Sequence, residues 1–185
     1  MFMLEKISFA ACVAVALSTG ALADDKNGLG SNVGLGQPIT ESDIKPWDIT
    51  ILPDGTNLPP GSGTAVVGAK LFTDKGCVAC HGEGGTGGAN GAVITDIPLA
   101  GRGIEATKTI KNFWGSSTTV FDFIRRAMPW PAPRTLSDDE VYALTAFILE
   151  GNKLIPPGTV MDAKSLPQVK MPNKDGFIIR FPDRI

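Results

Sequence analysis

The sequence predicts an all-α domain of three to four helices held between irregular N- and C-terminal arms. Apolar residues recur at helical spacing in residues 64–73, where Val67, Leu71 and Phe72 share a face, and in 119–127, where Val120, Phe121 and Ile124 do. A third helix, 137–150, opens with a reciprocal cap, Ser137 with Glu140, and lines one face with Val141, Leu144 and Ile148. Between the first two helices stands Cys77-Val78-Ala79-Cys80-His81.

In chain order, residues 1–23 read as an export signal. Lys6 precedes an apolar run over 7–17, and Ala21-Leu22-Ala23 supplies small residues for cleavage after Ala23. That run falls short of the roughly 20 residues a membrane-spanning helix needs. Cys12 leaves with the signal, and no cysteine at the cleavage point offers a lipid anchor. The mature chain is then expected in the periplasm, with about 160 residues, one domain's worth. A formal charge of −2 gives no reason to expect nucleic acid or an anionic membrane as partner.

Residues 24–63 form the first arm, rich in glycine and proline, with a short helical turn around 40–45. Trp47, Ile49, Ile51 and Leu58 suggest that part of it lies on the domain surface; the alternative is a disordered leader. The domain proper spans 64–151. Gly76 offers a stop to its first helix, and Gly68, Phe72 and Phe147 suggest a close helix crossing. Gly82, Gly84 and Gly87 fit a dinucleotide-binding pattern, but no strand precedes them and no βαβ unit surrounds them, so that reading is rejected. Met128-Pro129 ends the second helix, because the residue before proline is pushed out of helical geometry. Leu136 is placed to staple onto Val141, and Gly151 to stop the last helix as a C-terminal glycine. The tail, 152–185, is expected to pack on the domain, with a turn at 173–176 and an extended piece at 177–179.

Two thiols separated by two residues and followed by an imidazole form the attachment signature of haem c. Cys77 and Cys80 can each add to a vinyl group, and His81, the only histidine of the chain, is then the proximal iron ligand. With both mature thiols consumed, no structural disulfide remains possible. The second axial ligand must come from elsewhere, and Met128, Met161 and Met171 are the sulfur candidates. Met128 is the first choice, on a loop between two helices. Met171, in a second Met-Pro dipeptide, is the main rival, and Met161 reads as core filling. A thioether raises the reduction potential, and a six-coordinate iron has no vacant site for a substrate. No spare histidine or activated nucleophile is present, and Asp138-Asp139-Glu140 reads as charge at a helix N-terminus. The chemistry expected is single-electron transfer, not catalysis. Arg102, Trp114, Arg125 and Arg126 are candidate donors to haem propionates, or else ordinary surface and core residues; Trp130 packs beside Met128 or closes a turn.

Gly68 and Phe72 ahead of Cys77-x-x-Cys80-His81, then Met128-Pro129 and the capped last helix, make residues 64–151 resemble a class I cytochrome c. A narrower resemblance covers the arms. Trp47-Asp48-Ile49, Pro53-Asp54-Gly55-Thr56, Phe121 to Pro129, Asp139 to Ala146 and Met171 to Phe177 resemble the haem subunits of molybdenum sulfite dehydrogenases and of the Sox sulfane dehydrogenase. Some of the latter carry two haem domains, whereas this chain has one attachment motif. The resemblance implies Met128 as distal ligand. It also implies a molybdenum sulfite or sulfur-compound dehydrogenase as electron donor, and another cytochrome c or a terminal oxidase as acceptor. The alternative is a general periplasmic carrier serving another dehydrogenase; a haem enzyme acting directly on sulfur or peroxide would need an open or cysteine-ligated iron.

Overall fold

Ser137 and Glu140 close the predicted reciprocal cap: the Ser137 N–H donates to Glu140 Oε2 at 2.9 Å, and the Glu140 N–H to Ser137 Oγ at 3.3 Å. In this computed structural model, residues 36–88, 93–96, 105 and 108–177 are described. The chain divides into two compact units, Met1–Thr40 and Glu41–Ile185. Of the first unit only residues 36–40 are described; they are exposed and without regular structure. The expected signal lies outside the described residues, as do Arg102 and most of the 177–179 segment.

The second unit runs α1 (Glu41–Ile44), β1 (Ser62–Thr64), α2 (Ala65–Asp74), α3 (Val78–His81), α4 (Thr118–Ala127), α5 (Asp138–Gly151) and β2 (Val160–Asp162). α5 is the core element. Its first turn is acidic, which suits the helix dipole. The expectation of one buried face is too narrow: Val141, Tyr142, Ala143, Leu144, Thr145, Ala146, Ile148 and Leu149 are all buried. α2 and α4 cover part of this helix, and the arms cover the rest through β1 and β2.

α2 starts at Thr64, whose extended backbone (φ −120°) and side-chain oxygen cap the first turn. Its inward face is corrected by the structure. Ala65, Gly68 and Phe72 are buried, while Val67 is 51% exposed. The crossing with α5 sets that face, because a Cβ on Gly68 would overlap the Ala143 carbonyl and Phe147 Cβ. Helices this close need a bare backbone at the contact, and the Phe72 and Phe147 rings fill the space beside it at 5.0 Å.

α4 buries Thr118, Val120, Phe121 and Ile124 and ends where Met128 turns extended (φ −117°, ψ 145°), as proline at 129 requires. Gly151 does not act as a C-terminal stop. It is the last helical residue; Asn152 caps the helix and Lys153 takes the left-handed conformation (φ 58°). What Gly151 provides is room, since a Cβ there would lie 2.9 Å from Thr95 Cγ2.

The two arms pair with each other. β1 and β2 form an antiparallel ribbon with Gly63 opposite Met161. Gly63 lies so close to Ala143 that a Cβ would strike its backbone. Tyr142 Oη donates to the Pro59 carbonyl at 2.8 Å, and the Ser62 N–H donates to Asp139 Oδ1 at 2.7 Å. In the tail, Met161, Leu166 and Met171 enter the core. Asn173 Nδ2 donates to the Phe113 carbonyl at 2.7 Å, and a turn follows at 172–175. Among the described residues no helix is long and apolar enough to cross a membrane.

Candidate haem site

The attachment sequence folds as a single turn. Cys77 stands at the start of α3, and the His81 N–H donates to the Cys77 carbonyl at 2.9 Å. At i, i+3 and i+4 the three side chains leave one short stretch of helix surface. Cys77 is half-buried and Cys80 exposed, and both thiols are free. Burial, the largest influence, pushes the Cys77 thiol above its ordinary pKa.

The turn is anchored from both sides. The Cys77 N–H donates to the Phe72 carbonyl at 3.0 Å, and the His81 ring packs 6.3 Å from the Phe72 ring. Phe72 in turn meets Phe147 of α5, so His81 is tied to the central helix through two aromatic side chains. Behind His81 the glycine loop doubles back, with the Gly87 N–H donating to the His81 carbonyl at 2.8 Å. Gly82 has φ 74° and Gly87 φ 113°, and a Cβ at Gly82 would strike the Gly87 carbonyl. These glycines serve loop closure beside the imidazole, which accounts for the spacing that mimicked a nucleotide motif.

Residues 93–96 bind this loop to the end of α5. The Ile94 N–H donates to the Gly85 carbonyl at 2.8 Å, Thr95 Oγ1 donates to the Gly84 carbonyl, and Asn152 Nδ2 donates to the Ile94 carbonyl at 2.6 Å. Thr95 and Asn152, both buried, are supporting residues that the sequence reading missed. Asn152's only local sign is a polar residue directly after a helix, which is too common to single out, and Thr95 has none.

Met128 stands on a different element. It is half-buried at the C-terminal end of α4, with its N–H donating to the Ile124 carbonyl at 3.0 Å. Met161 and Met171 are buried at 1% and 4% exposure, whereas Met128 keeps part of its surface open. Cys77, Val78, Ile94, Trp114 and Met128 all edge the core as half-buried apolar side chains. The donor set fits a covalently held haem: two unpaired thiols and an imidazole on one turn, and an incompletely covered thioether on the rim of the same core.

Arg125 and Arg126, two of the three arginines expected near a propionate, have protein partners. Arg125 pairs with Asp138 at 3.4 Å, and Arg126 Nε with Asp122 at 2.9 Å. Trp114 packs against Phe123 at 5.5 Å, and Trp130 is 80% exposed.

Residues 65–152 match the family model described as Cytochrome c. No curated protein sequence matches the chain. Among solved structures, the crystal structure of the sulfane dehydrogenase SoxCD from Paracoccus pantotrophus is similar, with 37% identity and a TM-score of 0.70 over 83% of this chain and 73% of that one.

Proposed function

The chain belongs to the cytochrome c family and is related to the SoxCD sulfane dehydrogenase; from this we propose that it is a periplasmic monohaem electron carrier serving a molybdenum sulfite or sulfur-compound dehydrogenase. The observation that carries the reading is α3, one turn bearing two free thiols and the chain's sole histidine. Cys77 and Cys80 would hold the haem through thioether bonds, and His81 and Met128 would supply its two protein ligands. Bound so, the haem supplies a one-electron Fe(III)/Fe(II) couple whose ferrous form the thioether favours.

The residues around it hold and shield. Phe72 and Phe147 fix the imidazole plane by packing, and the Gly82–Gly88 backbone closes one side of the turn. Met128, at the end of α4, would be the second protein ligand and so would deny the iron to small ligands. In this reading electrons arrive from a molybdenum subunit and leave to a second cytochrome c or a terminal oxidase. The 37% identity to SoxCD over 83% of the chain supports the donor assignment.

Chain matured in a competent host should keep its haem on a denaturing gel, and Cys77→Ser with Cys80→Ser should lose it. Met128→Ala should abolish the weak red absorption of a sulfur-bound ferric haem; an unchanged spectrum removes Met128 from the ligand set. Stopped-flow reduction should be much faster with a sulfite or sulfane dehydrogenase than with unrelated donors. Equal rates would favour the general carrier.

A further inference from the structure

We propose that residues 46–51 of the N-terminal arm are a positioning strap for the Met128 loop, fastened to it by Arg134 and Arg126. This rests on the reading of Met128 as distal ligand and goes beyond it by saying what keeps the ligand in place.

The loop from Met128 to Leu136 holds itself poorly. Residues 130–135 are all exposed, and only Met128, Pro129 and Leu136 are half-buried. Its own bonds are short-range: the Ala132 N–H to the Pro129 carbonyl at 2.9 Å, and Thr135 Oγ1 to the Ala132 carbonyl at 2.7 Å. A segment with few buried contacts opens at low free-energy cost unless something outside it resists.

The arm supplies that resistance near both ends of the loop. Arg134 Nη2 donates to the Pro46 carbonyl at 3.1 Å, a bond between residues 88 apart in sequence. Arg134 makes it from a left-handed backbone (φ 65°), a conformation uncommon for a side-chain-bearing residue and held only where the surroundings demand it. Two residues before Met128, Arg126 Nη2 donates to Thr50 Oγ1 at 3.2 Å, while its Nε stays on Asp122. Next to Thr50, Ile51 is buried in the core at 8% exposure, which gives the strap a fixed anchor. Between the two fasteners, Ile49 lines a cavity of about 150 Å³ together with Arg125, Arg134, Leu136 and Asp138. The arm therefore holds the loop near its two ends, while residues 130–135 stay exposed to solvent.

Cyanide binding to the ferric holoprotein reads loop opening directly, because cyanide reaches iron only when the sulfur has left, and its apparent Kd scales inversely with the open fraction. Thr50→Val with Arg134→Met removes both fasteners at nearly constant shape. With two hydrogen bonds of ordinary strength lost, the apparent cyanide Kd should fall roughly tenfold. The sulfur–iron band should also vanish at lower urea than the helical circular dichroism. Arg134→Lys, which keeps a donor of similar reach, should restore most of the original affinity. Ser165→Ala, which loses bonds at the far β2 turn, should leave cyanide binding unchanged.

If Met128→Ala opens the iron to cyanide while the double variant binds as the unmodified chain does, the strap is wrong and the ligand assignment stands. If Met128→Ala itself binds cyanide no better, the ligand assignment falls and the strap with it. An equal gain in Ser165→Ala would mean that general destabilisation, not the strap, governs opening, and would also overturn the proposal.

Discussion

Gly68 shows what a single residue decides in this molecule. Its missing side chain lets α2 settle on the Ala143 carbonyl, and Phe72, which carries His81, is placed by that contact. Gly68→Val should cost about 1–3 kcal/mol in urea unfolding, the usual penalty for overfilling a packed contact. Tyr142, the chain's only tyrosine, is buried with its hydroxyl on Pro59. Burial first, then the charges of Asp138 and Asp162, push its pKa up to about 12, with Arg125 opposing. The unfolded chain loses this proton near 10, so the folded state holds more protons at alkaline pH. Stability from Tyr142 is thus complete below pH 10 and is lost as pH rises towards 12. The gap between wild type and Tyr142→Phe in urea midpoint should therefore shrink across that window; a constant gap would contradict it. Glu140 behaves in the opposite sense. The Lys75 ammonium, then the Ser137 N–H, hold its carboxyl below its ordinary value of 4.5. Its stabilisation is present above pH 4.5 and fades as pH falls through the lowered pKa, so Glu140→Gln should cost stability at neutral pH and progressively less in acid.

Among the elements, helix boundaries follow from local chemistry. Thr64, Ser137 and Met128-Pro129 mark real ends because caps and proline act within one turn. Helix faces do not follow so directly. The inward face of α2 turned on a contact made with α5, far away in sequence, and α5 is buried beyond one stripe because the arms wrap it. Gly151 gave a false stop for a related reason: it serves the neighbouring Thr95 and not the backbone angle. The link between the 93–96 segment and α5 makes a separate test. Asn152→Ala leaves the Ile94 carbonyl without its 2.6 Å donor and should cost about 1–3 kcal/mol in thermal unfolding, with faster amide exchange at Ile94 and Thr95.

At the scale of the whole molecule, the candidate haem-holding residues Cys77 and Met128 are both half-buried against the core, so a bound haem is expected to add to the packing there. Chain prepared without haem should melt at lower temperature than the holoprotein and be cut faster by protease; identical melting would mean that the polypeptide core is already complete. The arms belong to this core as well, since Ile51, Met161, Leu166 and Met171 all enter it. Sequence by itself determined the attachment turn, the helix ends and the supply of ligands, because each depends on residues within a few positions of one another. A single histidine directly after a Cys-x-x-Cys pair leaves few chemical choices, wherever the chain goes. Tertiary structure alone decided which helix faces are inward, that the arms pair as a ribbon over α5, and that Arg134 reaches Pro46. Those outcomes depend on contacts between residues dozens of positions apart, and no local pattern of propensity or charge encodes them.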